Sequence, residues 1–212
     1  MEPEDKAEKK GRAELISAGT QLFAEHGYLG ATTTAIARKA GVSQPLLYHH
    51  FGSKEGLWRA VIDELFGELH ERLEKVVTEM HEAPAVERLT ALLRTFVLFS
   101  GHRPELAQLI HTVEQGGKDT FGEFYQEWLS GLVDFFNREF EIAQGRQILR
   151  PIEPAILYFM IAGVGTVPFM QPDEGMQAFG VDTTSAEFIE RYAEISIDII
   201  LRGVLPRQES NL

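Results

Sequence analysis

The chain reads as an all-α protein of about nine helices, on three observations. No segment alternates apolar and polar residues with a period of two for long enough to make a convincing strand. Apolar residues recur instead at three- and four-residue spacing, most plainly at Leu57, Val61, Leu65, Leu69, Leu73 and Val76. Prolines and glycines fall where such runs begin and end, as helix starts and stops require.

The most informative stretch is 32–54, TTTAIARKAGVSQPLLYHHFGSK. Thr32 can cap a helix whose apolar positions Ile36, Ala37 and Ala40 share one narrow face. Gly41 ends it, because glycine accepts the left-handed conformation common after a helix C-terminus, and Val42 plugs the corner. Ser43 can cap the next helix, Pro45 falls in its first turn, where a missing N–H costs nothing, and Leu47 with Phe51 forms its buried stripe. That helix ends near Gly52. Its outward residues are Gln44, Leu46, Tyr48, His49 and His50, a set suited to a nucleic acid. Glutamine can bond an adenine edge through two contacts, and Tyr and His can donate to phosphate oxygens. Lys54 follows a Ser53 cap at the start of the next helix, where a cation opposes the macrodipole. A docked phosphate accounts for it, and so does ordinary solvation.

The elements continue as helices. Residues 54–80 make one long amphipathic helix linking two parts of the chain; Pro84 opens a helix over 84–100, and Pro104 another that ends at Gly116-Gly117. A long helix covers 118–144, Pro154 starts one over 154–170, and Thr184 with Glu187 forms a capping box for the last, closed by Gly203 and Pro206.

The run 12–65 resembles the DNA-binding domain of the tetracycline-repressor (TetR) family of bacterial regulators. The likeness rests on Leu15, Ala18, Leu22, Phe23 and Gly27-Tyr28, on Ile36-Ala37, Ala40-Gly41-Val42-Ser43, and on Leu47-Tyr48 with Phe51-Gly52-Ser53-Lys54. By that resemblance the DNA contacts are Thr33, Thr34, Gln44, Pro45, Leu46, Tyr48, His49, His50 and Lys54. Thr33, Tyr48 and Lys54 match phosphate-holding positions, and Gln44, Pro45, Leu46 and His49 match base-facing ones. Thr34 stands where some relatives carry a base-reading arginine, and Leu46 where others have a hydroxyl or glycine, so no operator sequence carries over. Ala35 replaces the acidic residue of the usual capping box. The resemblance implies a three-helix helix-turn-helix domain over 1–56, with a loose arm over 1–10, and an effector-binding and dimerisation domain over 57–212.

Charge makes such a head plausible on an acidic chain. Residues 1–55 hold seven basic and seven acidic side chains, leaving 13 of the 20 Lys+Arg and 25 of the 32 Asp+Glu beyond them. The whole net charge of −12 thus lies outside the head, where it does not repel DNA at the contact surface. Nonspecific binding should be weak and affinity should rest on a few placed contacts. At 212 residues and 44% hydrophobic the chain has material for a small domain and a larger one. The first ten residues are charged throughout and lack a signal peptide's apolar core, and there is no Cys; both fit a cytoplasmic protein.

From Pro154 to Pro172 no residue is charged, a length that also fits a membrane span, but Gly163, Gly165 and Pro168 interrupt it and no basic flank follows. A buried interface helix is the better account, and no membrane partner is expected. Ile161, Gly163 and Gly165 on this helix, with Phe188, Tyr192, Ile195 and Ile199 on the last, offer more apolar surface than one packing contact needs. Two such helices from each subunit fit a four-helix homodimer interface. A dimer would read a palindromic operator.

Phe96, Phe99, His111, Glu114, Trp128, Phe135 and Tyr158 are candidates for lining an effector pocket, although an aromatic stripe at helical spacing serves equally as plain core. No histidine spacing makes a metal site, and no cofactor is implied. No phosphate-binding glycine loop, nucleophile elbow or His-Glu-x-x-His helix points to an enzyme. The sequence therefore supports a homodimeric repressor that leaves double-stranded DNA when an unidentified small molecule binds. Two alternatives stay open: an activator, and a protein of the same fold that uses DNA as a positional cue and acts through a protein partner.

Overall fold

The computed structural model describes residues 3–115 and 118–206. In order, the elements are α1 (Pro3–Gly30), α2 (Thr33–Lys39), α3 (Gln44–Phe51), α4 (Lys54–Glu79), α5 (Ala85–His102), α6 (Glu105–Gln115), α7 (Lys118–Phe124), a π turn (Tyr125–Leu129), α8 (Ser130–Gly145), α9 (Pro154–Met170), α10 (Pro172–Phe179) and α11 (Ala186–Val204). There is no strand among the described residues, so the fold is all-α. The Gly116-Gly117 stop expected after α6 lies outside the described residues.

Backbone contacts group the chain into two compact units. One runs to Glu68 and resumes over Glu105–Trp128; the other holds Leu69–Pro104 and the chain from Leu129 onward. The division differs from a single break after residue 56: α6 and α7 join the N-terminal helices because α6 packs along α1. Of the arm expected over 1–10, residues 1–2 lie outside the described residues, and α1 begins at Pro3.

In the first unit the head closes around Leu15, Phe23, Ile36, Leu47, Leu57 and Val61, all fully buried. Trp58 meets Phe23 edge-on at 5.1 Å and Tyr28 at 5.6 Å, arrangements that suit the opposed charge of ring face and ring edge. Gly27 breaks the regularity of α1 with φ 68° and ψ 175°, a conformation open essentially to glycine alone. A Cβ there would also lie 2.6 Å from Thr112 Cγ2, so the approach of α6 to α1 needs this glycine twice over.

In the second unit α5 lies against both α9 and α11. Phe96, Phe99, Phe135, Phe136 and Phe140 are buried there, with Phe96 and Phe135 each edge-on to Phe136 at 5.6 Å. An ion pair joins α5 to α8, Arg88 Nε to Glu139 Oε2 at 3.4 Å, with both side chains 12% exposed.

Three details depart from the sequence expectation. The cap of α11 is Ser185, whose Oγ accepts from Phe188 N, while Thr184 donates to Asp182 Oδ1 in the preceding turn. Gly203 lies inside α11, which runs on to Val204. Pro172, with Asp173 and Glu174 in the first turn and a left-handed Gly180 at the end, makes α10, a short helix the apolar pattern does not mark. Helices α9 and α10 bend by 76° at their junction, and no single described helix is long and apolar enough to cross a membrane.

Candidate nucleic-acid interface

Helices α2 and α3 are fixed by local chemistry before any packing. Thr32 Oγ1 accepts the Ala35 amide at 3.2 Å, which satisfies a free N–H in the first turn of α2. At the other end Gly41, at φ 68°, donates to Arg38 O, and Val42 donates to Ala37 O at 3.0 Å. This paired closure sets a sharp turn into α3. Ser43 occupies the cap position of α3 without a side-chain cap bond, so the expected hydroxyl cap is absent and Pro45 in the first turn carries the start.

The outward residues form a connected polar surface. Gln44 Nε2 donates to Thr33 Oγ1 at 2.9 Å, Thr34 Oγ1 donates to Gln44 Oε1 at 3.4 Å, and the Tyr48 hydroxyl lies 3.4 Å from Thr33 Oγ1. Four of the expected contact residues are thus brought together across the two helices. Tyr48 and His49 are exposed, as is Pro45.

Leu46 and His50 sit differently from the outward expectation. Both lean on α1 at Gly11, where an added Cβ would lie 3.1 Å from Leu46 Cδ2 and 3.8 Å from His50 Nε2. That His50 nitrogen is buried, with no hydrogen-bond partner among the described residues, and Leu46 is half-buried. In this conformation the pair joins α3 to α1.

Lys54 does not rest in open water. Its Nζ lies 4.6 Å from the centre of the Tyr28 ring, and Ser53 Oγ accepts the Gly56 amide at 3.0 Å, capping α4 beside it. Partial burial lowers the Lys54 pKa from its ordinary value. The ring face compensates a cation held at a helix N-terminus. Sequence reasoning missed Tyr28 in this role, and it missed Arg12, whose guanidinium lies 5.4 Å from the centre of the Phe51 ring. In neither pair do the partners share a helix, so no local spacing signals the contact.

The model of the family described as bacterial regulatory proteins, tetR family, matches residues 15–61, which take in α2, α3 and the start of α4. The HTH-type transcriptional regulator BetI of Stenotrophomonas maltophilia is 30% identical over 171 residues, covering 73% of this chain and 81% of BetI. The chain belongs to the TetR family. As a TetR-family protein it is a DNA-binding transcriptional regulator. The nucleoid occlusion factor SlmA of Vibrio atlanticus is 25% identical over 158 residues, covering 72% of this chain and 78% of SlmA. Among solved structures, the ketosteroid transcriptional regulator KstR2 of Mycobacterium tuberculosis shares the fold with a TM-score of 0.68 at 19% identity, covering 92% of this chain and 95% of that one.

The other expected residues of this TetR-family chain fall as follows. Phe96, Phe99 and Phe135 are closed into the core of the second unit, and Tyr158 there is half-buried beside Phe159. His111 and Glu114 lie on the exposed side of α6, His111 with its Nε2 2.8 Å from Gln115 Nε2. Of the seven pocket candidates, Trp128 borders a cavity of about 590 Å³ within the first unit. Aromatic spacing fixes a helix face, and packing then decides whether that face meets a void or another ring.

Of the expected dimer residues, Ile195 and Ile199 are exposed and Gly163 faces open space. Phe188 and Tyr192 stack at 5.6 Å and are half-buried, and the Tyr192 hydroxyl donates to Val164 O at 2.9 Å. Two residues turn inward instead. Ile161 is buried, and a Cβ on Gly165 would come within 2.3 Å of Phe96, so that glycine serves the contact between α9 and α5. Sequence reasoning passed over Ile156, Phe159 and Val167, which α9 leaves exposed.

Proposed function

We propose that this regulator is a homodimeric, cytoplasmic repressor that holds a palindromic operator and releases it when a small-molecule effector binds. The observation that carries the reading is the joined surface of Thr33, Thr34, Gln44 and Tyr48 with Lys54 beside it, on a head whose own charge is balanced. Tyr48 and Lys54 hold phosphates and set register, and Gln44 with His49 reads base edges. The dimer forms through α9 and α11, and effector binding moves α4, the helix that begins at Lys54. The effector acts through its preference for the form that cannot bind DNA; a coupling of roughly 1–3 kcal/mol suffices for such release.

A gel-shift series with fragments from the chain's own genomic neighbourhood tests this reading. Retention of one palindromic fragment at moderate salt is expected, with its release by a small molecule. Failure to retain any fragment removes the reading.

The likeness to a nucleoid occlusion factor favours a second reading, in which DNA is a positional cue and the acidic part of the chain binds a protein. Stable DNA binding with no change in transcription from neighbouring promoters separates it from the repressor.

A further inference from the structure

Both tryptophans of the chain, Trp58 and Trp128, border the cavity of about 590 Å³ in the first unit. It lies among the end of α1, the first turns of α4, and α6 and α7 with the π turn. Its walls are aromatic, formed by Tyr28, Trp58, Phe124 and Trp128. Three carboxylates, Glu55, Glu123 and Glu127, face a single guanidinium, Arg59, and His26 adds an imidazole.

Arg59 shows what this lining is shaped to hold. Its guanidinium lies 5.3 Å from the centre of the Trp128 ring and pairs with Glu55 at 3.3 Å and also with Glu127. A cation on an indole face between two carboxylates is drawn by the ring's negative face as well as by charge. The ring is held in place for this: Trp128 Nε1 donates to Asp63 Oδ1 at 2.7 Å, and Phe124 packs on it at 5.5 Å. Glu127 and Trp128 both come from the π turn, a rare helical form that collects at functional sites.

We propose that this cavity takes a lipophilic organic cation, one positive charge carrying aromatic groups, which displaces the Arg59 guanidinium from Trp128 and Glu127. The carboxylates repel an anion, and a neutral ligand has no charge with which to replace Arg59. For its regulatory consequence the inference rests on the effector reading above; binding itself stands apart from it. Arg59 is on the same helix as Lys54, so its release bears on the DNA contact.

Tetraphenylphosphonium is the probe and triphenylphosphine oxide its neutral counterpart, each titrated into the full chain while tryptophan emission is followed. Because tryptophan occurs only at 58 and 128, the emission reports this cavity. One tetraphenylphosphonium per chain is expected, bound about tenfold more tightly than the neutral compound. Glu127→Gln and the exposed Glu123→Gln each weaken binding several-fold. Arg59→Gln tightens it, because the internal competitor is gone. Equal affinity for the two compounds, unchanged affinity in both carboxylate variants, or weaker binding in Arg59→Gln overturns the proposal. The same samples are then mixed with a retained operator fragment. Probe binding without DNA release leaves the site and removes its role as effector site; release by another compound, with no probe binding, overturns the site and leaves the repressor reading in place.

Discussion

Gln44, the proposed base reader, has both ends of its carboxamide already engaged, the nitrogen by Thr33 and the oxygen by Thr34. The amide is therefore oriented before contact, and a base edge has to exchange partners with two hydroxyls. Gln44→Ala is expected to relax base preference by roughly 1–3 kcal/mol at one base pair, with a smaller loss on unrelated DNA. Tyr48→Ala and Lys54→Ala should weaken binding to operator and unrelated DNA alike, and equal footprint and competition profiles for all three variants would sink this division of roles. Thr33→Val adds a sharper test. If Thr33 orients Gln44 as well as meeting a phosphate, its variant should share the specificity loss of Gln44→Ala. Much of this surface was legible in the sequence, because Thr32, Gly41 and Pro45 fix two short helices locally. The lean of Leu46 and His50 on α1 was not, since it depends on Gly11 arriving from another helix.

Helix ends and helix approaches account for most of what lies between sequence and structure. The run of 118–144 is legible as helical, but its π turn is not: one widened turn leaves the apolar period almost unchanged over so short a stretch. The join of α1 to α6 depends on Gly27, and Gly27→Ala is expected to destabilise the chain by roughly 2–4 kcal/mol through strained backbone and the Thr112 contact together. A urea midpoint unchanged from that of the parent chain would refute it. The entry to α11 gives a pH dependence. Thr184 holds the Asp182 pKa below the ordinary 3.8, first through its hydroxyl and then through its amide. A carboxylate lowered in the folded state stabilises fully above its unfolded value and loses that contribution as pH falls through the folded one. Stability should therefore decline below about pH 4 partly through this turn, and Asp182→Asn should flatten the acid limb when urea midpoints are measured across that range.

At the scale of the molecule, the question is why an acidic chain exposes so much apolar surface on α9 and α11. Phe159 is 71% exposed, Ile199 64% and Ile156 51%, an excess that calls for a partner when it gathers on neighbouring elements of one unit. In the proposed homodimer a second copy of the chain is that partner, self-complementary and with Gly163 open to close approach. Phe159→Glu and Ile199→Glu are the informative variants, because exposed positions tolerate the change in an isolated chain while a buried interface does not. Each is expected to shift sedimentation at micromolar concentration from dimer to monomer with the circular dichroism of the parent chain intact. The DNA consequence is then separable from folding. A dimer places two heads on half-sites about 34 Å apart and neutralises twice the phosphates of one head, so the monomeric variants should lose palindrome preference and show about half the salt slope. A variant that sediments as a monomer yet keeps the full slope would mean that each head binds DNA alone, and that the balanced charge of residues 1–55, with no help from symmetry, is enough to hold the operator.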